Sequence, residues 1–284
     1  MNMNQKIGVV GNGYVGRATA LLANRRYLFR IYDTDPEKCS PEVKVLDDLL
    51  PCSFIFVAVP TPMHENGESA IHIVEGVVND LAEKGYDRER IIIKSTVPVG
   101  TSRRLGTMFM PEFLTEQNWK DDFIQQKRWI IGTNGRNDLI RDDIYKVFEA
   151  AWDHSVIAYR PNITFSTTEE AELTKYVCNC FLATKVSFFN EIEDFCRKRD
   201  INYRKVRGLV VKDRRIGAGH SAVPGPDGKR GYGGTCFPKD MASMLYQVQD
   251  AGLESYILEA AVARNTQVDR PEKDWEKDRG RAII

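Results

Sequence analysis

Hydrophobic and polar positions in the first half of the chain alternate between short apolar runs and longer segments with helical spacing. The apolar runs predict strands at 7–10, 27–32, 54–59, 91–95, 129–132 and 156–159. The segments 71–84 and 137–151 predict helices between some of these runs. Strands that alternate with helices are typical of a mostly parallel sheet with helices on both faces. We therefore expect an α/β fold with an N-terminal, Rossmann-type doubly wound sheet.

The second half opens with one long helical pattern. Thr167 and Glu170 have capping-box spacing, and no Pro or Gly interrupts the chain from there to Gly208. Apolar residues recur every three or four positions at Leu173, Tyr176, Val177, Cys180, Phe181, Phe188, Ile192 and Phe195. The pattern predicts a helix of roughly 30 residues, too long for one small domain. We expect it to be a spine between lobes or subunits, in a mainly helical second domain.

A glycine-rich loop precedes another predicted helix. Residues 217–234 contain seven glycines, which let the backbone approach a ligand closely. Pro238 suits the first position of the following helix, which places Asp240 in its first turn and Cys236 at its N-terminus. The partial positive charge of a helix N-terminus, with Lys239 nearby, favours a thiolate. We interpret Cys236 as a nucleophile rather than a structural cysteine.

The first predicted strand leads into GNGYVG and then a helical stretch. Gly11 permits a tight turn, Gly13 lets the backbone approach a pyrophosphate, and Gly16 lets helix pack on strand. Asp33 follows the second strand, at the distance along the chain where a carboxylate binds a ribose 2′-hydroxyl and repels a 2′-phosphate. The cofactor predicted from this pattern is NAD. Its predicted contacts here are Gly11, Gly13, Tyr14, Val15, Gly16 and Asp33.

Two other segments follow predicted strands and fall on the edge of the sheet where ligands gather. They are Pro60-Thr61-Pro62 and Ser95-Thr96-Val97-Pro98, and they predict cofactor contacts at Pro60, Thr61 and Thr96. The alternative is that the prolines only end the strands.

Lys175 and Asn179 lie one turn apart on the long helix, away from its apolar stripe. Taken alone, this pair indicates a solvated face.

Charge and composition narrow the possible partners. The 40 basic and 40 acidic residues balance, so no strong field favours a nucleic acid or a membrane. The chain lacks a signal-peptide pattern and a bilayer-spanning run, and its six scattered cysteines suit a reducing compartment, so we expect a cytoplasmic protein. Cys178 and Cys180 have no nearby histidines, which argues against a metal site.

The expected domains are an NAD-binding domain over 1–165, a helical domain with the catalytic loop over 166–268, and a polar tail over 269–284. We expect that tail to be a solvated end, although Trp275 could dock it.

Several short motifs follow one another along the chain in a specific order, although each motif alone is weak evidence for a family. They are GVVGNGYVG, VAVPTP, IKSTVPVGT, PEFLTE, EEAELTKYVCN, FFNEIEDF, DRRIG and GYGGTCFPKD. In this order the chain resembles the NAD-dependent nucleotide-sugar 6-dehydrogenases, a family that includes UDP-glucose and GDP-mannose dehydrogenases. The resemblance implies oxidation of a sugar alcohol through an aldehyde to an acid, with two NAD per sugar. UDP-glucose is the first expected substrate and GDP-mannose the second.

The resemblance also implies roles for single residues. Cys236 would form a thiohemiacetal and then a thioester with the substrate, and Asp240 would act as a base or orient water. Lys175 and Asn179 would bind the developing oxyanion and an ordered water. The other implied residues are Thr96 and Glu116, which would hold that water, and Glu112, Phe113, Leu114, Arg215, Tyr232, Gly233 and Gly234, which would contact the substrate.

A homodimer is implied as well, because the long helix resembles the dimer-forming spine of the family and Arg215 an arginine that reaches a neighbouring subunit's substrate. Relatives usually continue into a second Rossmann-like domain, and nothing like it follows Asn265. Two other interpretations stay open. One is a homologue that binds NAD or a nucleotide sugar without turnover, and the other is a β-hydroxyacid dehydrogenase, which would not need Cys236.

Overall fold

The computed structural model describes residues 5–135 and 137–284. Contacts divide this part of the chain into two compact units. The first unit comprises the chain up to Thr61 together with Ile71–Lys175, and the second comprises Pro62–Ala70 and Tyr176–Ile284. The division therefore falls inside the long helix rather than at residue 165, and the domain boundaries drawn from the sequence stay a prediction.

The first unit is built on one sheet, which contains seven strands among the described residues. The strands are β1 (Gln5–Val10), β2 (Tyr27–Tyr32), β3 (Phe54–Val57), β4 (Ile91–Ile93), β5 (Met108–Phe109), β6 (Trp129–Gly132) and β7 (Ile163–Ser166). Their order is β2-β1-β3-β4-β5-β6-β7, and every neighbouring pair is parallel except β5 with β6. The doubly wound α/β sheet predicted from the apolar runs is confirmed.

Each face of this sheet carries its own hydrophobic core. Successive strand residues point to opposite faces, so Phe54 and Phe56 join one core while Ile55 and Val57 join the other. The helices of the first unit are α1 (Tyr14–Ala20), α2 (His72–Glu83), α3 (Thr101–Leu105), α4 (Trp119–Ile124) and α5 (Asp138–Asp153). Strands buried on both faces need continuous apolar runs, which explains why β3 and β4 are apolar throughout.

The strand predicted at 156–159 is wrong. Ser155 takes a positive φ of 59°, and the Val156 N–H donates to the Ala151 carbonyl, so the run closes the end of α5. Ile157 is buried in the core although it belongs to no strand. The sequence pattern also missed β5 and β7, which are short and have no long apolar run.

The long helix α6 spans Thr168–Lys198, 31 residues, as predicted. The capping box is confirmed, because the Glu170 carboxylate accepts from the Thr167 N–H at 2.9 Å and the Thr167 hydroxyl accepts from the Glu170 N–H at 3.2 Å. The other helices of the second unit are α7 (Tyr203–Val210), α8 (Cys236–Asp250) and α9 (Tyr256–Arg264). Within the described residues, no helix is long and apolar enough to cross a membrane.

The C-terminal tail is docked within the second unit, so the prediction of a solvated end is wrong and the docking of Trp275 is confirmed. Trp275 and Ala282 are buried in one cluster with Met63. The Met63 N–H donates to the Ala282 carbonyl, and the Ile284 N–H donates to the Met63 carbonyl. The sequence could not show this pairing, because Met63 lies far from the tail along the chain.

Candidate active site

The three fingerprint glycines differ in the space around them. Gly11 has a φ of +93°, and a Cβ there would lie 2.4 Å from the Ala58 carbonyl oxygen. A Cβ on Gly16 would lie 1.8 Å from the Gly11 carbonyl oxygen. By contrast, a Cβ on Gly13 would meet no atom within 4 Å. Gly11 and Gly16 are therefore fixed by packing, whereas the space beside Gly13 is open.

The groups around this opening fit a dinucleotide. Helix α1 has Gly13 as its N-cap, so no side chain caps the first turn, as expected where phosphate oxygens accept from helix N–H groups. The Asp33 carboxylate is held by the N–H groups of Asn12 at 2.7 Å and Asp35 at 3.0 Å. Each carboxylate oxygen can accept a further bond, so a ribose hydroxyl could be bound there.

The loops after β3 and β4 are held together at the carboxyl edge of the sheet. The Ser95 hydroxyl donates to the Val59 carbonyl at 2.7 Å. Along these loops Pro60 is exposed, Thr61 is buried and Thr96 is half-buried. The structure therefore brings the predicted cofactor segments side by side, and their contacts with a cofactor stay a prediction.

A buried ion pair lies beyond the end of β5. The Lys175 ammonium donates to the Glu112 carboxylate at 2.7 Å and to the Glu112 carbonyl at 2.8 Å. The other carboxylate oxygen accepts from the Leu114 N–H at 2.8 Å. Lys175 also lies over the ring of Phe113, 5.9 Å from its centroid. Lys175 is only 3% exposed, so the solvated face indicated by helical spacing is wrong for this residue.

Lys94 is a buried charge that the sequence analysis missed. It follows β4 directly and is 3% exposed. Burial lowers its pKa to about 8, with Lys175 acting in the same direction and the Glu112 carboxylate opposing it. Its burial could have been inferred from its position, because it directly follows the apolar run Ile91–Ile93, where a surface residue would be unusual.

In the second unit, Cys236 occupies the first position of α8, two residues before the predicted start. Pro238 is consequently third, which is still tolerated because N–H groups of the first turn have no partner in the helix. Cys236 is half-buried, whereas Cys180 is 5% exposed and burial raises the pKa of its thiol to about 12. Cys236 is therefore the more exposed of these two cysteines, and its role as a nucleophile stays a prediction.

Asp240 is the centre of a buried polar cluster. One of its carboxylate oxygens accepts from the Asn179 amide at 2.6 Å, and the other accepts from the Lys239 ammonium at 2.6 Å. Burial opposes the charge on Lys239, but the Asp240 carboxylate, with Tyr176 and Cys236 in support, raises its pKa. Asn179 is 7% exposed, so the solvated interpretation is wrong for this residue too.

The glycine-rich loop is held on one side by Asn265 and Arg270. Tyr232 exchanges two hydrogen bonds with the Asn265 amide, at 2.9 and 3.0 Å, and burial raises the pKa of its phenol. A Cβ on Gly233 would lie 2.3 Å from the guanidinium carbon of Arg270, whereas one on Gly234 would meet nothing within 4 Å. The loop is therefore ordered on one side and open beside Gly234.

Two further predicted site residues are exposed. Glu116 is exposed in the first unit, and Arg215 is exposed in the second, where it forms a bidentate ion pair with Asp213. The roles that the resemblance implies for them stay predictions. In the part of the chain that the structure describes, no group of three His, Cys, Asp or Glu side chains could hold a metal ion.

Comparison with known proteins identifies the relatives of the chain. The NAD-binding domain of the UDP-glucose/GDP-mannose dehydrogenase family matches residues 42–150, and the central domain of that family matches residues 169–267. A UDP-glucose 6-dehydrogenase of Pseudomonas aeruginosa is 30% identical over 92% of this chain and 65% of its own length. One from Rhizobium meliloti is 31% identical over 74% of this chain and 49% of its own length. The chain thus spans less than two thirds of these curated relatives.

Solved structures agree at the level of the fold. A UDP-glucose dehydrogenase from the archaeon Pyrobaculum islandicum superposes with a TM-score of 0.79 at 24% identity, covering 93% of this chain and 68% of that one. A 3-hydroxyisobutyrate dehydrogenase from Mycobacterium tuberculosis gives 0.68 at 14% identity, covering 92% of both chains. The NAD-binding domain match confirms the predicted cofactor. With both domain matches in their family order, the chain belongs to the UDP-glucose/GDP-mannose dehydrogenase family.

Proposed function

We propose that the protein oxidises the C6 hydroxymethyl group of a nucleotide sugar to the carboxylic acid, with UDP-glucose as the first expected substrate. The observation that carries this proposal is the arrangement at the start of α8, where the half-buried Cys236 is followed by the buried Asp240 cluster. A dehydrogenase that stopped at a ketone would have no use for this sulfur. The curated relatives named above are UDP-glucose 6-dehydrogenases, which favours that sugar over others.

The thiol has a defined part in the second oxidation. NAD, when bound, supplies the hydride acceptor for both oxidations. The Cys236 thiolate adds to the aldehyde carbon and gives a thiohemiacetal, whose loss of hydride leaves a thioester. Water then attacks the thioester carbon, releases the acid and returns the thiol. Asp240, held by Asn179 and Lys239, orients that water or takes its proton.

The charged groups of the first unit have a separate part. The Lys175 ammonium stabilises alkoxide character on the reacting oxygen, because it is an ammonium held out of bulk water. Glu112 sets its position through two hydrogen bonds. Thr96 and Glu116 hold the ordered water, and Phe113 and Leu114 shape the sugar site. These assignments follow the family resemblance and form part of the proposal.

Substrate binding and assembly complete the proposal. The open backbone beside Gly234 suits close approach of a diphosphate, next to the fixed Tyr232 and Gly233. Helix α6 exposes an apolar stripe that includes Phe181 at 67% and Phe188 at 58%. A stripe of this kind favours burial against a second copy, so we propose a homodimer in which Arg215 reaches the partner's substrate. The free cysteines support a reducing, cytoplasmic location.

The test follows NADH formation from UDP-glucose and NAD. We expect Cys236→Ser to lower the rate of acid formation by about a thousandfold or more, because an alkoxide cannot replace the thiolate at neutral pH. Cys178→Ser is the matched control, since Cys178 is a half-buried free cysteine on α6 with no proposed role. A higher kcat/KM with GDP-mannose than with UDP-glucose would assign the second substrate instead. If the protein binds NAD but oxidises no nucleotide sugar, the proposed activity is wrong.

A further inference from the structure

Besides Glu112, the first unit has another buried carboxylate, one helical turn before Lys175. Glu172 is fully buried in the first unit. One of its oxygens accepts from the Gly100 N–H at 2.6 Å, and the other accepts from the Ser102 N–H at 2.8 Å. Gly100 is the N-cap of α3 in a left-handed conformation, so the carboxylate supplies the cap that glycine lacks. Helix α6 thereby fixes the backbone at the start of α3.

The segment fixed in this way carries Thr96. At its other end the Ser95 hydroxyl donates to the Val59 carbonyl at 2.7 Å, and between the two anchors Val97 is buried in the core. Thr96 itself is half-buried and makes part of the carboxyl edge of the sheet. The loop after β4 is thus held to the loop after β3 at one end and to Glu172 at the other.

The beginning of α6 is itself firmly placed. A Cβ on Gly132 would lie 2.7 Å from the Cα of Thr168, so the helix packs directly on the end of β6. One turn after Glu172, Lys175 binds Glu112 in the loop that follows β5. The same two turns of helix therefore hold two loops at the edge of the sheet, one through a carboxylate and one through an ammonium.

We propose that Glu172 is a positioning residue whose ionised carboxylate holds residues 96–102 in the conformation that presents Thr96 to the cofactor edge. This inference rests on the proposed function only for its effect on catalysis. The restraint on the loop is independent of it, since it follows from two hydrogen bonds to backbone N–H groups. A glutamine offers one carbonyl oxygen and would turn an N–H group towards the second backbone donor.

The charge on Glu172 depends on pH in the neutral range. Burial raises its pKa to about 7, hydrogen bonds from Ser102 and Gly100 oppose this, and Glu169 adds to it. Among the charged groups on the packed elements, Arg103 pairs with Glu169, Arg104 with Glu75 and Lys175 with Glu112, and the Glu170 carboxylate accepts from the Thr167 N–H. Lys94, which directly precedes the loop, is buried as well. Above pH 7 both oxygens accept, and below it one oxygen carries a proton and the cap weakens.

The first experiment measures amide hydrogen exchange at pH 8 in peptides that cover residues 96–105. We expect about tenfold faster exchange in Glu172→Gln than in the wild type, because the loop opens more often once its cap is lost. Glu169→Gln is the matched control, since Glu169 lies on the same helix and binds the Arg103 side chain rather than the backbone of the loop. Unchanged exchange in Glu172→Gln would overturn the proposal. If that variant does not fold, Glu172→Asp replaces it, because it keeps the charge but is too short for both bonds.

The second experiment measures kcat and KM against pH with NAD and UDP-glucose. For the wild type we expect kcat to fall below about pH 7, and for Glu172→Gln we expect that fall to disappear and kcat at pH 8 to be about tenfold lower. A role in folding alone would lower the amount of active protein and leave the shape of the pH profile unchanged. Faster exchange with a wild-type pH profile would therefore refute the positioning role. A wild type without turnover would refute the proposed function, and the exchange data would still decide whether Glu172 holds the loop.

Discussion

Gly13 should respond to alanine very differently from the other two fingerprint glycines, and Gly13→Ala is the most informative substitution. Gly13 has a φ of −69°, which any residue adopts, and a Cβ there would contact nothing within 4 Å. Alanine at such a position reduces the entropy of the unfolded chain but is a poorer N-cap than glycine. These effects oppose each other, so we expect the free energy of unfolding to change by less than about 1 kcal/mol.

Binding of NAD should behave in the opposite way. The open space beside Gly13 is where a pyrophosphate would approach the backbone, and a methyl group there pushes the phosphate oxygens away from the N–H groups of α1. Loss of one charge-assisted hydrogen bond costs about 1.5–3 kcal/mol, so NAD should bind at least about tenfold more weakly. Calorimetric titration with NAD and urea unfolding of the same preparation measure the two quantities.

Gly16→Ala is the control for this test. Its Cβ would lie 1.8 Å from the Gly11 carbonyl oxygen, a backbone atom that cannot move without disturbing the turn. We expect it to lower the free energy of unfolding by about 3 kcal/mol or more. Should Gly13→Ala bind NAD as tightly as the wild type, the space beside Gly13 would not be the phosphate site and the reasoning would be refuted.

Two further predictions concern Lys94 and the stripe on α6. The pKa of Lys94 is about 8 in the native protein against 10.5 for an ordinary lysine, so the native state resists protonation and loses stability as the pH falls from 10.5 through 8. Lys94→Met should therefore raise the free energy of unfolding by about 3 kcal/mol at pH 7 and by much less at pH 10.5. Urea unfolding at the two pH values measures both gains, and equal gains would contradict this reasoning. Phe181 is 67% exposed, so Phe181→Glu should leave the monomer folded and shift sedimentation from dimer to monomer. Lys198→Glu, at the end of the same helix, should leave the dimer intact. A wild type that sediments as a monomer would refute the proposed interface.

Features that depend on a few consecutive residues could be predicted from the sequence. The strand, glycines and acid of the fingerprint, the Thr167–Glu170 capping box and the length of α6 all follow from local spacing, and each is present. The strand prediction at 156–159 was wrong because it also used local spacing alone. An apolar run at a helix end looks like a strand when only neighbouring residues are considered. Within this run Ile157 is buried because it joins the core on which α5 packs.

The buried charges could not be predicted in this way. Lys175 is buried by Glu112, 63 residues away, and Asn179 by Asp240, 61 residues away. Helical spacing places a lysine and an asparagine on a polar face, and only the partners supplied by other elements make that face an interior one. The family resemblance singled out both residues without using local spacing, and the roles that it implies for them stay predictions.

The buried charged pairs also bear on the function of the fold. Replacing a buried ion pair by well-packed apolar groups is often neutral or stabilising, because the attraction within the pair does little more than offset the cost of removing both charges from water. Stability alone therefore gives no reason to bury Lys175 with Glu112 or Lys239 with Asp240. Each pair is held by further hydrogen bonds to its carboxylate, from the Leu114 N–H in one case and the Asn179 amide in the other. Charges that are held this firmly need little reorganisation when a charge develops on a substrate, and the proposed oxidation of an alcohol and hydrolysis of a thioester would require that property.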